Sequence, residues 1–390
     1  MEWCRGLCRI SFLSVIPQTH VSFVVVDSFS ADGKYCLTGG HDRSVRLWNP
    51  FRVDPAHPPT ARQQISATIN DGPDDVVDSY YGPPPPSSSA DIRLDELPRA
   101  MPIQTYTGGL THPVSAVAVV ESSETQQLLL AACDKALVVM DLVTNQVVRR
   151  FQGHVGRINA VDAAPHAEAY VSGGYDGTVC IWDGRSSRDY KPIQVLKDAK
   201  DSVTDLYVVP QAGGGSAAGM GLIRTASVDG MVRTYDLRMG IVRNDNCHSS
   251  ITSMASTYDG QCLAISCLDG TIRLMELETG ALLNTYQGSH QAGQYGLGVA
   301  ILADDATIVS GSEDGHGVCY DLVRATCVQS LQTWTPPSTP QDSLPQQPRP
   351  TCAIAAHPQQ SSVVMTTSYD ESAIVWANDS AIWNNQMLQE

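Results

Sequence analysis

Seven times along the chain an aspartate is followed, six positions later, by a large apolar or aromatic residue. Asp42 leads to Trp48, Asp134 to Met140, Asp176 to Trp182, Asp229 to Tyr235, Asp269 to Met275, Asp314 to Tyr320 and Asp370 to Trp376. Four positions before each aspartate stands Thr38, Leu130, Ser172, Thr225, Ile265, Ser310 or Thr366, so five of the seven carry a hydroxyl. From Asp134 to Asp314 the aspartates recur about every 40–53 residues. A period of that size means one supersecondary unit copied along the chain, each copy burying its apolar faces against its neighbours.

The third copy shows the unit most fully: Gly153 to Asp183, GHVGRINAVDAAPHAEAYVSGGYDGTVCIWD. It opens on Gly-His, closes on Trp-Asp, and contains apolar runs at Ile158–Ala163, Ala169–Ser172 and Thr178–Trp182. Asp176-Gly177 between the last two predicts a tight hairpin, because such a turn needs positive φ and Gly supplies it without steric cost. Period, Gly-His start and Trp-Asp end together resemble the WD-repeat family. That resemblance implies an all-β fold: a seven-bladed WD-repeat β-propeller with four antiparallel strands per blade, over residues 21–376. Finer runs, Asp32–Thr38, Arg233–Gly240, Asp259–Cys262, Leu268-Asp269 and Ser312–Gly315, resemble the mitogen-activated protein kinase organizer family of small WD scaffolds.

In WD repeats the Gly-His histidine, strand hydroxyl, turn aspartate and strand tryptophan form one hydrogen-bonded set. By that resemblance His154, Ser172, Asp176 and Trp182 are the structural tetrad, and Asp42, Asp134, Asp176, Asp229, Asp269, Asp314 and Asp370 the turn aspartates. Buried imidazole, indole and carboxylate groups each need partners, and a closed network satisfies them together. Met140 and Met275 have no N–H to donate, so Leu130 and Ile265 are expected opposite them as apolar replacements. The competing reading is a hydrolytic Ser-His-Asp triad. Seven eroding copies suit a fastener better than one active site.

The chain has 390 residues, 25 basic and 41 acidic, for a formal charge of −16. That opposes non-specific nucleic-acid binding, which depends on Lys and Arg neutralising phosphates, so no direct nucleic-acid partner is expected. Of 11 cysteines, Cys36, Cys133, Cys180, Cys262, Cys267, Cys319 and Cys352 lie in strand-like runs and read as small buried hydrophobes. Without C-x-x-C spacing, reduced thiols, no metal site and a cytoplasmic and nuclear location are expected. The apolar stretch Leu7–Ile16 is short and broken by Arg9, which weighs against a signal peptide, and no stretch reaches the ~18 apolar residues of a membrane helix.

Residues 1–20 hold no repeat anchor; Cys8–Ile16 is the candidate for a strand that closes the ring, the alternative being a loose tail. The Pro- and Ser-rich insertion 49–101 has little to bury and is expected to be disordered. A second Pro-rich loop spans 333–350, and 377–390 is a polar tail. Strand parity places 333–350 with the aspartate turns, and 49–101 and 211–221 on the opposite face.

No cofactor-binding motif, phosphate-cradling loop or nucleophile–base pair is evident, so a non-catalytic protein–protein interaction scaffold is expected, with function carried by loops. The family resemblance implies a mitogen-activated kinase cascade or the spliceosome as partner, with a monomer acting inside larger complexes. Candidate partner-binding residues flanking the turns are His41, Arg43, Lys135, Tyr175, Glu313 and Tyr369, many of which could be plain solvated turn residues. Trp182-Asp183-Gly184-Arg185 also resembles the Trp-Asp-x-Arg box of cullin–RING ubiquitin-ligase substrate receptors. Tyr235–Arg238 is a weaker copy, making Arg185 and Arg238 candidate adaptor contacts.

Overall fold

The structure is a computed structural model that describes residues 11–16, 24–30, 32–55, 99–121, 127–164, 169–185, 190–209, 221–333, 349–369 and 372–377. Among these there is no helix, and so none long and apolar enough to cross a membrane. The strands form seven four-stranded antiparallel sheets. Blade one is β2 (Val24–Phe29), β3 (Cys36–Gly40), β4 (Val45–Val53) and β5 (Ala100–Tyr106). Blade two is β6 (Val114–Glu121), β7 (Gln127–Cys133), β8 (Ala136–Asp141) and β9 (Val147–Gln152). Blade three is β10 (Ile158–Ala164), β11 (Ala169–Gly174), β12 (Val179–Asp183) and β13 (Gln194–Leu196). Blade four is β14 (Val203–Val209), β15 (Leu222–Ser227), β16 (Met231–Asp236) and β17 (Ile241–Asn246). Blade five is β18 (Ile251–Ser256), β19 (Cys262–Cys267), β20 (Ile272–Glu276) and β21 (Leu282–Tyr286). Blade six is β22 (Val299–Ile301), β23 (Thr307–Gly311), β24 (His316–Asp321) and β25 (Cys327–Gln332).

Blade seven joins both ends of the chain. β26 (Thr351–Ala356), β27 (Val364–Ser368) and β28 (Ala373–Ala377) are completed by β1 (Ser11–Ile16), which pairs antiparallel with β28 from Ser11↔Ala377 to Ile16↔Ala373. Each inner strand packs on the next, β2 on β6 and so on round to β26 on β2. The ring is thereby closed, with the two chain ends held in one sheet.

The core is divided among the seams. Each of the seven junctions between neighbouring blades holds its own apolar cluster. At the junction of blades two and three, Leu130, Leu137, Val139 and Phe151 meet Tyr170, Cys180 and Trp182. Middle strands are buried on both faces, β8 along its whole length, so their sequences run nearly unbroken in apolar residues. Outer strands such as β9 are half-exposed. Small residues on β3 and β11 let the next blade approach: a Cβ on Gly173 would stand 2.6 Å from Val203 Cγ1.

A hydrogen-bonded belt ties the inner strands together. A bulge follows the first inner-strand residue, and the bulged residue reaches into the next blade. Ser115 Oγ donates to the Ile158 carbonyl at 2.5 Å, Asn159 Nδ2 to Val203 at 2.8 Å, Thr204 Oγ1 to Ile251 at 3.0 Å and Thr252 Oγ1 to Leu297 at 3.0 Å. In blade six the Gly298 amide takes this role, donating to Cys352 O at 2.6 Å.

Two expectations need correction. Residues 49–53 and 99–101 are not part of a disordered insertion: they extend β4 and β5, with Asn49 opposite Met101 and Val53 opposite Ala100. The remainder, 56–98, lies outside the described residues, as do the loop 211–220 and the tail 378–390. Neither Leu130 nor Ile265 pairs directly with its methionine: in blade five Met275 pairs with Leu263 and Ile265 with Arg273, although Ile265 and Met275 share one cluster, and in blade two even that sharing is lost. Blade two turns after two residues, Cys133 pairing with Ala136, so Met140 faces Leu129 and Leu130 faces Val139. A shift of one residue sends every side chain to the other face; Leu130 therefore packs toward blade three and Ala131 shares Met140's side.

The faces follow strand parity. Thr333 N donates to Gly315 O and Tyr369 N to Pro350 O, so the described ends of the 333–350 loop meet the aspartate turns of blades six and seven. Asp54 N donates to Arg99 O at the far end of β4 from Asp42.

Candidate functional site

The turn face is built from buried polar sets. In blade three, His154 Nε2 lies 2.8 Å from Ser172 Oγ, and Trp182 Nε1 donates to the same oxygen at 2.8 Å. His154 Nδ1 lies 3.2 Å from each Asp176 oxygen. Thr178 Oγ1 donates to Asp176 Oδ1 at 2.7 Å, and the Val155 and Gly156 amides donate to Oδ2 at 2.8 and 3.2 Å. Desolvation pushes the Asp176 carboxyl up, but Thr178, the Val155 amide, the His154 ring and the Gly156 amide outweigh it and bring the pKa to about 2. Ser172 is fully buried and both His154 nitrogens are engaged. A hydrolytic nucleophile must reach its substrate, and Ser172 cannot.

The other blades keep parts of the set. Trp48 donates to Thr38 Oγ1 at 3.0 Å and Trp376 to Thr366 Oγ1 at 2.8 Å. Blades one, four and five instead hold their turn aspartate with an arginine four residues on: Arg46–Asp42 at 3.0 Å, Arg233–Asp229 at 2.6 Å and Arg273–Asp269 at 2.7 Å. Arg233 also donates to Ser227 Oγ at 2.7 Å. Sequence reasoning passed over these arginines, although the Asp-x-x-x-Arg spacing recurs in three copies. In blade six His290 Nδ1 meets the Tyr320 hydroxyl at 2.6 Å, while Asp314 faces His316 at 3.2 Å. Asp134 sits in blade two's short turn with φ 56°, its carbonyl accepting from Ile158 N. Asp370 lies outside the described residues.

Of the residues singled out for binding, His41, Arg43, Lys135 and Tyr175 are exposed on the turn face. Glu313 and Tyr369 are half-buried and drawn together through Tyr295. Glu313 Oε1 accepts from Tyr295 N at 2.8 Å, and the Tyr295 and Tyr369 rings meet edge to face at 5.5 Å. Burial raises the pKa of the Tyr369 hydroxyl. Arg185 and Arg238 are exposed on the opposite face, in loops between third and outer strands; Arg185 Nε lies 3.2 Å from Asp183 Oδ1. Burial keeps the pKa of the Cys180, Cys247 and Cys319 thiols high, and the nine described cysteines are all unbridged. Cys262 is only half-buried, so it is less enclosed than its strand-like run suggests.

Seven four-stranded blades, turn aspartates and Ser/Thr–Trp bonds define a class: the chain is a seven-bladed β-propeller of the WD-repeat pattern. The WD domain, G-beta repeat model matches residues 12–49 and 145–183, and the anaphase-promoting complex subunit 4 WD40 domain model matches 219–303. Within the class it is similar to the WD repeat domain-containing protein 83 homolog of Dictyostelium discoideum, 27% identical over 87% of this chain and 94% of that one. It is also similar to WD repeat domain-containing protein 83 of Rattus norvegicus, 37% identical over 44% of this chain and 50% of that one. The Homo sapiens protein of the same name is 34% identical over 37% of this chain and 42% of that one. The alignments with the two mammalian relatives thus span half or less of their length. Propellers of this class generally mediate protein–protein interactions.

Proposed function

We propose that this chain is a non-catalytic docking scaffold that assembles a mitogen-activated kinase cascade, serves within the spliceosome, or does both, in cytoplasm and nucleus. The observation that carries this reading is the similarity along 94% of the Dictyostelium relative, which is named a WD repeat domain-containing protein. The fold supports it: the polar groups of the blade-three tetrad are spent on one another, while exposed turn residues ring a rigid face. The test is affinity purification with mass spectrometry from cytosolic and nuclear fractions separately. Kinase-cascade proteins in the first or splicing proteins in the second are expected; neither class in either fraction overturns the reading.

A second reading, substrate receptor for a cullin–RING ligase, is favoured by Arg185, whose side chain is 73% exposed on the lower rim. Co-purification of the ligase adaptor, lost on Arg185→Ala, supports it. An adaptor signal that survives Arg185→Ala removes that box from the interaction.

A further inference from the structure

One row of side chains crosses blade four from the channel to the rim: Tyr207 opposite Arg224, Arg224 opposite Thr234, Thr234 opposite Arg243. The matching row of blade five is Ala255, Ala264, Leu274 and Asn284. On β15, Ile223 packs toward blade three and Ala226 toward blade five, so Arg224, two residues before Ala226, faces blade five. Its side chain is charged and buried, 7% exposed, and its Nε and Nη1 have no hydrogen-bond partner among the described residues. Of the two ionisable groups that act on it, Tyr207 is kept a neutral phenol by burial, and Arg243 is another cation. A buried guanidinium with two unpaired nitrogens is costly and calls for an anion. Arg243, at the rim end of the row, donates to the Glu278 carbonyl and lies 3.5 Å from Asp245. Met239 and Ile241 precede Arg243 along the same edge, and Leu282 and Leu283 open the outer strand of blade five; each is more than half exposed.

We propose that the lower outer edge of the seam between blades four and five binds an acidic and apolar segment of a partner protein. A partner Asp or Glu carboxylate pairs with Arg243 at the exposed rim and brings its negative charge up to the buried Arg224 guanidinium, and neighbouring large apolar side chains cover Met239, Ile241, Leu282 and Leu283. Charge complementarity decides the occupant: the pair of arginines excludes a basic segment, and planar guanidinium geometry suits a carboxylate. This deepens the scaffold reading and rests on it.

The test is selection of random twelve-residue peptides on the immobilised full chain, followed by titration of the leading synthetic peptide. Enriched peptides should carry Asp or Glu beside Leu, Met or Phe. Binding should fall at least tenfold on Arg224→Met, on Arg243→Gln and on Glu→Gln in the peptide, and should survive Lys135→Ala on the opposite face. Arg224→Met removes an unpaired charge and should melt no lower than the parent chain. If it fails to fold, Arg243→Gln and Ile241→Ser, both at the exposed rim, carry the test. Enrichment of peptides without an acid, no enrichment at all, tighter binding of a phosphoserine version, or indifference to Arg243→Gln each overturns the proposal. Partners still recovered from cells with Arg243→Gln would then leave the scaffold reading standing alone.

Discussion

Trp182 gives its indole proton to Ser172 at 2.8 Å, and the same oxygen lies 2.8 Å from His154 Nε2. One hydroxyl therefore fastens the third strand of blade three to the loop that enters it. Trp48–Thr38 and Trp376–Thr366 repeat the first half of this arrangement.

Ser172→Ala should be costly because it strands two buried groups at once. Each unpaired buried polar group costs about 1–3 kcal/mol, so a loss of about 2–4 kcal/mol is expected. Thr366→Val strands the Trp376 indole and should cost roughly half as much. Urea denaturation checks the order; Thr366→Val costing as much as Ser172→Ala would show that His154 adds nothing.

The arginine-held turns should rank by burial. The Arg233–Asp229 pair is nearly buried and shares Ser227, whereas Asp269 of the Arg273–Asp269 pair is 36% exposed. Removing one partner of a buried pair costs about 3–5 kcal/mol, and an exposed pair is worth about 1 kcal/mol or less. Arg233→Met should therefore destabilise several-fold more than Arg273→Met. Equal losses in calorimetric melts would contradict that ranking.

How much of this was legible depended on whether a residue's role is set by its own repeat. The seven-blade count follows from the seven repeated aspartate spacings, and the Ser172–Trp182 bond from the resemblance of the third copy to a WD repeat. The blade-two register did not, because Asp134 keeps the sequence spacing while Cys133 and Ala136 close the turn early; the anchor looks the same and the pairing differs. The insertion looked longer than it is because Asn49 to Val53, Pro and Phe included, reads as loop, yet β5 pairs along it. Arg224 was invisible for a third reason: its isolation depends on what the neighbouring blade fails to supply.

Acid should act on two aspartates in the direction opposite to ordinary acid denaturation. Asp162 Oδ2 accepts from Val208 N at 2.7 Å in the next blade, and Asp205 Oδ2 from Met254 N at 2.8 Å in the blade after. Burial pushes both carboxyls up to about 6 from an ordinary 3.8, against the pull of these amides. A raised pKa means the folded state holds the proton more tightly, so this contribution to stability is present below about pH 4 and is lost as pH rises through about 6. Asp162→Asn keeps an oxygen for Val208 and removes the ionisation. It should stabilise the protein at pH 7.5 by on the order of 1–3 kcal/mol and have little effect at pH 4. Denaturation at both pH values checks this; equal effects at the two would sink it.

The ring depends on a strand from the other end of the chain. β28 is buried along its length, and β1 occupies its outer edge. Deleting residues 1–16 removes that ladder and bares the β28 edge, a template for pairing with another chain. Loss of one strand from a closed ring also opens the cluster in which Trp48 of blade one meets Val375 and Ala377 of blade seven. The truncated chain should melt well below the full one and elute as dimers or larger species, while blades two to five, whose seams and belt are untouched, stay protected in hydrogen exchange. A monomeric truncation with an unchanged melting temperature would mean that β26, β27 and β28 hold blade seven without the N-terminal strand.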